Sequence, residues 1–119
     1  MSLHGVGVDV TFLDRIRRFA DEHAARLPEM FSEAERASPR KIAEAFALKE
    51  ATLKALGGLT GWELDWREIE TGGKGPSREI VLAGKLKSHA RSLSVGRLWA
   101  SVTEAAGAVV ATVIAEAVP

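Results

Sequence analysis

The spacing of apolar and polar positions changes period along the chain, and each change marks an element. In HGVGVDV the valines Val6, Val8 and Val10 fall on one face and Gly7 and Asp9 on the other, which predicts a half-buried strand with Asp9 opposite the valines. From Thr11 the period lengthens. Phe12, Ile16, Phe19 and Ala20 recur at helical spacing, with Thr11 as the expected N-cap, Asp14 in the first turn and Arg15, Arg17, Arg18 and Arg26 on the other side. Pro28 is expected to break this helix. FSEAE then predicts a short turn, capped by Ser32 with Glu35 in the capping-box position.

SPRKIAEAFALKEATLKALGG carries complete helix punctuation: Ser38 as cap, Pro39 at the first helical position, and Gly57 with Gly58 as the stop. Phe46 and Leu53 are its core-facing candidates. Trp62, Leu64, Trp66 and Ile69 lead into a strand that ends at Gly72 and Gly73, and GKGP at 73–76 predicts a turn. A second strand surrounds Ile80, Val81 and Leu82, followed by an amphipathic helix with Leu86 and Leu93, closed by Gly96. LWASVTE and AVVATVIAEAV are the last two strands, separated by the small residues 105–107. The order predicts an α+β fold, a mostly antiparallel sheet covered by helices, in a single domain over 1–119. At 119 residues the chain suits one small core.

Composition removes several function classes. With 16 basic and 16 acidic residues there is no global field for nucleic acid or an anionic membrane. The lack of cysteine excludes disulfides and thiolate chemistry, and His4, His23 and His89 have no paired-ligand spacing. MSLHGVGVDV does not resemble a signal peptide and no window approaches the roughly 20 apolar residues of a membrane span, so a cytoplasmic protein is expected.

The residues that could carry chemistry are Asp9 on the first strand and Glu50 with Lys54 on the long helix. Glu50 and Lys54, four apart, share a helix face. If the strand packs on that face, two hard oxygen ligands and an ammonium meet, an arrangement suited to magnesium and the phosphates of a nucleotide-like substrate. The other reading is an ordinary solvated helix pair and a strand-ending aspartate. GVG near the start lacks the third, helix-opening glycine of a dinucleotide fingerprint. The arginines of the first helix form either its wet face or a docking surface for an acidic protein. His89, among Lys85, Lys87 and Arg91, reads as an exposed rather than a catalytic residue.

Taken together, GVGVDVTFLDRI, FSEAE, FALKEATLKALG, GKGP and SVTE, in that order along nearly the whole chain, resemble the holo-acyl-carrier-protein synthases, the small 4′-phosphopantetheinyl transferases. The resemblance implies transfer of the 4′-phosphopantetheine arm of coenzyme A to a serine of apo acyl carrier protein, with magnesium and release of 3′,5′-ADP. It also implies a homotrimer with sites between subunits. On matching positions, Asp9 and Glu50 would bind the metal. Glu50, Lys54 and Glu104 would be catalytic, and Lys49, Lys54, Gly57, Glu35, Gly75 and Pro76 would bind the cofactor. Arg15, Arg18 and Arg26 would dock the acidic carrier protein. The chain departs from the family pattern at three places. Ala45 stands where arginine is usual, which implies a lost contact to coenzyme A phosphates. Glu104 replaces a histidine, which implies a third acid near Asp9 and Glu50, as metal ligand or base. The hairpin reads GKGPSREI in place of a G-[KR]-P element followed by an alternating strand. These departures keep open a diverged paralogue that binds coenzyme A or the carrier without efficient transfer. A small α+β interaction module is the reading unrelated to this family.

Overall fold

A computed structural model describes residues 2–58 and 64–118. One five-stranded sheet has the order β1-β5-β4-β3-β2, from β1 (Ser2–Phe12), β2 (Ile69–Gly72), β3 (Ser77–Leu82), β4 (Val95–Ala105) and β5 (Ala108–Ala117). All neighbours pair antiparallel. The helices are α1 (Leu13–Glu22), α2 (Leu27–Met30), α3 (Pro39–Ala55) and α4 (Gly84–Ser92), with 3-10 turns at Ala24–Arg26 and Trp66–Glu68. This is the expected α+β architecture. The expectation for Trp62 lies outside the described residues.

Helix α3 is the axis of the molecule. Ser38 caps it by accepting the Lys41 N–H (3.2 Å), and Gly57 and Gly58 close it with φ of 89° and 79°. Its small residues Ala43, Ala47, Ala51 and Ala55 are fully or almost fully buried against β1 and β5, where Val109, Ala111, Val113 and Ala115 form the facing row. Phe46, half-buried, stacks on Trp66 with 5.8 Å between ring centroids.

The alternation of β1 is as predicted, and the face turned to the helix is that of Gly7 and Asp9. A Cβ on Gly7 would lie 1.8 Å from the Ala51 carbonyl oxygen, and one on Gly5 would lie 2.3 Å from that of Ala55. Strand and helix backbones therefore nearly touch, which only glycine permits. The Gly7 and Asp9 face is thus covered, while Val6, Val8 and Val10 are 53%, 48% and 50% exposed. Gly7→Ala should cost about 1–3 kcal/mol or more by overpacking, read as a lower urea midpoint. It should also displace Asp9, two residues away on the same face.

Three boundaries differ from the sequence reading. Thr11 is not a cap: it lies inside β1, which runs on to Phe12 paired with Ala108, and the Leu13 N–H is satisfied by the Gly107 carbonyl at 3.0 Å. Pro28 does not break the first helix, which already ends at Glu22; it occupies the first turn of α2, where a missing N–H costs nothing. Gly96 does not close α4, because Ser94 takes the left-handed turn (φ 59°) and Gly96 sits inside β4 at a register shift.

Candidate active site

Because odd-numbered residues of β1 face α3, Asp9 is delivered to the helix surface that carries Glu50 and Lys54. The Lys54 Nζ donates to Asp9 Oδ1 (3.2 Å) and to the Val8 carbonyl (2.9 Å), while Thr11 Oγ1 donates to Asp9 Oδ2 (2.8 Å). Burial pushes the Glu50 carboxyl above its ordinary range, the Asp9 charge adds to that, and Lys54 opposes it. The three residues picked out by spacing are therefore neighbours. A carboxyl whose ionisation is disfavoured by burial and by a neighbouring carboxylate forms, with that neighbour, a donor set a hard divalent cation would relieve. Magnesium needs only one or two protein carboxylates, leaving places for phosphate oxygens and water.

Glu104 does not join them within the chain. Val109 of β5 pairs with Glu104 on one side and Thr11 on the other, so a whole strand separates Glu104 from β1. Among the described residues no three or more His, Asp or Glu side chains gather into a metal-binding group. Within one chain, the third acid expected beside Asp9 and Glu50 is therefore not at their side. Glu104 instead forms an ion pair with Arg40, in the first turn of α3 (2.5 Å).

That pair sits in a second feature, a cleft of about 660 Å³ between the first half of α3, the β2–β3 hairpin and the end of β4. Gly75 and Glu35 line it, and Ala45 lies in its wall where a longer side chain would fill space. Pro76 is held just behind, its carbonyl accepting the Val102 N–H (2.9 Å). Arg78 Nε donates to the Gly75 carbonyl (2.6 Å) and its Nη2 to Glu44. Asp9, Glu50 and Lys54 are absent from this lining. Glu44 and Glu50 lie six residues apart on α3, about 9 Å along its axis. Gly57 is on the far side again, as the C-terminal stop of α3, with its N–H on the Lys54 carbonyl at 3.0 Å.

Between the two features lies a buried ion pair that sequence reasoning missed. Lys49, fully buried, donates from Nζ to Glu35 Oε1 (3.0 Å), the Met30 carbonyl (2.6 Å) and the Trp66 carbonyl (3.1 Å). All three ammonium protons are thus committed inside the chain, so the expectation that Lys49 binds cofactor gives way to a structural role. Glu35 also accepts the Ser32 N–H (2.9 Å) and both the N–H and hydroxyl of Thr71 (2.8 and 2.7 Å), while Ser32 Oγ accepts the Glu35 N–H (3.2 Å). The capping-box pairing is therefore present although no helix follows it. Burial alone would raise the Glu35 carboxyl, but its hydrogen bonds from Ser32, Thr71 and Lys49 outweigh that and hold it below the ordinary range. Burial pulls the Lys49 ammonium down, against the hydrogen bond and charge of Glu35. Arg15 and Arg18 project from α1 into solvent, and Arg26, also exposed, pairs loosely with Glu29 (3.9 Å).

The sequence and the fold have known relatives. Residues 5–113 match the family model described as the 4′-phosphopantetheinyl transferase superfamily. A holo-(acyl-carrier-protein) synthase of Cutibacterium acnes is 37% identical over 113 residues, covering 94% of this chain and 96% of that protein. A solved Helicobacter pylori holo-(acyl-carrier-protein) synthase in complex with coenzyme A is 29% identical, with a TM-score of 0.76 over 93% of this chain and 99% of that one. The holo-ACP-synthase of Plasmodium yoelii, 21% identical, shares the fold with a TM-score of 0.84 over 98% of this chain and 97% of that one. A chain that matches the family model over nearly its whole length, and that is 37% identical to such a relative over nearly all of both proteins, belongs to the 4′-phosphopantetheinyl transferase superfamily, among its holo-acyl-carrier-protein synthases.

Proposed function

We propose that this enzyme transfers 4′-phosphopantetheine from coenzyme A to a serine of an apo acyl carrier protein and releases 3′,5′-ADP. The observation that carries the reading is the convergence of Asp9, Glu50 and Lys54 at the junction of β1 and α3. Asp9 and Glu50 would hold magnesium, which when bound neutralises charge on the pyrophosphate. Lys54 anchors one Asp9 oxygen and places its ammonium where charge would grow on the transferring phosphate. Thr11 fixes the other Asp9 oxygen, so the carboxylate is oriented before substrate arrives. In the overall step the serine oxygen attacks the β-phosphorus, the bond to the bridging oxygen breaks, and the hydroxyl proton leaves to a base.

The reading extends to a homotrimer with sites at subunit interfaces. Its supports are the bare valine face of β1 and the separation of the carboxylate pair from the cleft containing Gly75 and Glu104. A neighbouring copy could bring the two together. Arg15, Arg18 and Arg26 would steer the acidic carrier protein to the site. No helix among the described residues is long and apolar enough to cross a membrane, and the proposed reaction belongs to the cytoplasm. Ala45 and Glu104 favour a second reading, a paralogue that binds coenzyme A or the carrier but transfers poorly.

The test is to incubate the protein with coenzyme A, magnesium and several apo carrier proteins and to weigh the carriers. Carriers heavier by one phosphopantetheine arm, and unchanged when the metal is chelated, are the expected result. Bound coenzyme A with every carrier unmodified would establish the paralogue instead.

A further inference from the structure

The two oxygens of Asp9 are held by groups of opposite mobility. Oδ1 accepts from the Lys54 ammonium at 3.2 Å, and that lysine side chain is 52% exposed. A long stem with rotatable donors can turn from a carboxylate to another acceptor at little cost. Oδ2 accepts from the Thr11 hydroxyl at 2.8 Å. Thr11 is 6% exposed and sits in the ladder between β1 and β5, opposite Val109. Its β-branched side chain is stiff about χ1, and a buried hydroxyl left without an acceptor is costly.

The pairing is built into the strand. Asp9 and Thr11 lie at alternate positions of β1 and so share the face that Gly7 presses onto the α3 backbone. Thr11 therefore holds the plane of the Asp9 carboxylate, whereas Lys54 only neutralises one end of it.

This asymmetry bears on which cation the carboxylates accept. Calcium takes about six to eight oxygens in a flexible shell and often both oxygens of one carboxylate, whereas magnesium demands a near-ideal octahedron and uses few protein oxygens. A carboxylate that binds through both oxygens must turn its plane to aim them at one ion. Asp9 cannot make that turn without giving up the Thr11 hydroxyl.

We propose that Thr11, on the reading of Asp9 and Glu50 as the magnesium-holding pair, is a positioning residue that restricts Asp9 to one coordinating oxygen and so sets a preference for magnesium over calcium. Oδ1, whose lysine can leave it, is the oxygen offered; Oδ2 stays with Thr11.

Manganese alone is the probe, on the full chain and with no transfer reaction. Its free electron paramagnetic resonance signal falls on binding, and magnesium or calcium added in competition restores it. The wild type should release manganese to magnesium at lower concentration than to calcium. Thr11→Val, close in shape but without the hydroxyl, should shift the ratio of the two affinities toward calcium by about three- to tenfold. Thr11→Ala should shift it the same way, and Thr11→Ser, which keeps the hydroxyl, should retain the wild-type ratio. A merely structural role would weaken both ions together and leave the ratio unmoved. An unchanged ratio in whichever hydroxyl-free variant melts as a folded domain, or an equal shift in Thr11→Ser, would overturn the proposal while leaving the metal pair standing. Manganese that fails to bind the wild type, or binds it and Glu50→Gln equally, would remove the metal pair itself and the proposal with it.

Discussion

Glu50→Gln should abolish transfer and, in the presence of a chelator at neutral pH, raise the melting temperature. The loss of activity, at least about 100-fold, follows from the proposed function, in which Glu50 is one of the two carboxylates that would hold magnesium. The gain in stability follows from the carboxyl being pushed above its ordinary range by burial first and by Asp9 second. An acid whose folded pKa is raised holds its proton more tightly in the native state than in the unfolded one. Its contribution to stability is thus fully present below the unfolded value and is lost as pH rises through the folded one. Above the folded value the penalty of an ionised Glu50 is complete, and glutamine removes it. The two proteins should converge toward acid pH, where Glu50 is protonated. Magnesium should stabilise the wild type and not the variant, since ligand that binds only the folded chain raises its stability by mass action. A variant that melts lower than wild type at neutral pH with chelator present would refute the assignment.

The largest stability effect should come from Lys49→Met. It leaves Glu35 charged and buried without its cation, and the Met30 and Trp66 carbonyls without their donor. Breaking a buried pair from one side costs about 3–5 kcal/mol, a fall of about 10–20 °C in melting temperature for a domain of this size. Glu35→Gln can keep several of the bonds to Ser32 and Thr71, and Lys49→Met with Glu35→Gln should cost less than the sum of the single changes. The pH dependence separates the two partners. Glu35 titrates below its ordinary range, so its contribution is present above the unfolded carboxylate value and lost as pH falls through the folded one. Glu35→Gln should flatten that acid limb of the stability curve, and strict additivity of the two substitutions would show that the pair is not coupled.

What the sequence made legible was local. The caps of α3 work through hydrogen bonds spanning three or four residues, and Glu50 with Lys54 is fixed by helical geometry, so both could be read directly. The hairpin at GKGP was legible for the same reason. Periodicity, by contrast, tells that β1 has two faces without telling which one is covered. Gly5 and Gly7, which admit the helix backbone, decide it, and the valines are left on the open face. The placement of Glu104 depends on β5 lying between β4 and β1, a matter of sheet order that a motif does not contain. Lys49 and Lys54 are five residues apart and so point in different directions, one to a buried carboxylate and two carbonyls, the other to Asp9. Glu44 with Arg78, 34 positions apart, is a pairing made entirely by the tertiary fold.

The exposed row Val6, Val8, Val10 and Phe12 lies on β1, which is also a free edge of the sheet. An edge strand with an apolar face is a template for association, and no charged residue interrupts this row. If copies of the chain cover it, folding and assembly draw on the same free energy, and protomer concentration becomes a stability variable on a par with temperature. Dilution would then act on this protein as a denaturant does, first uncovering the valines and only afterwards loosening the helix that rests on the glycines behind them.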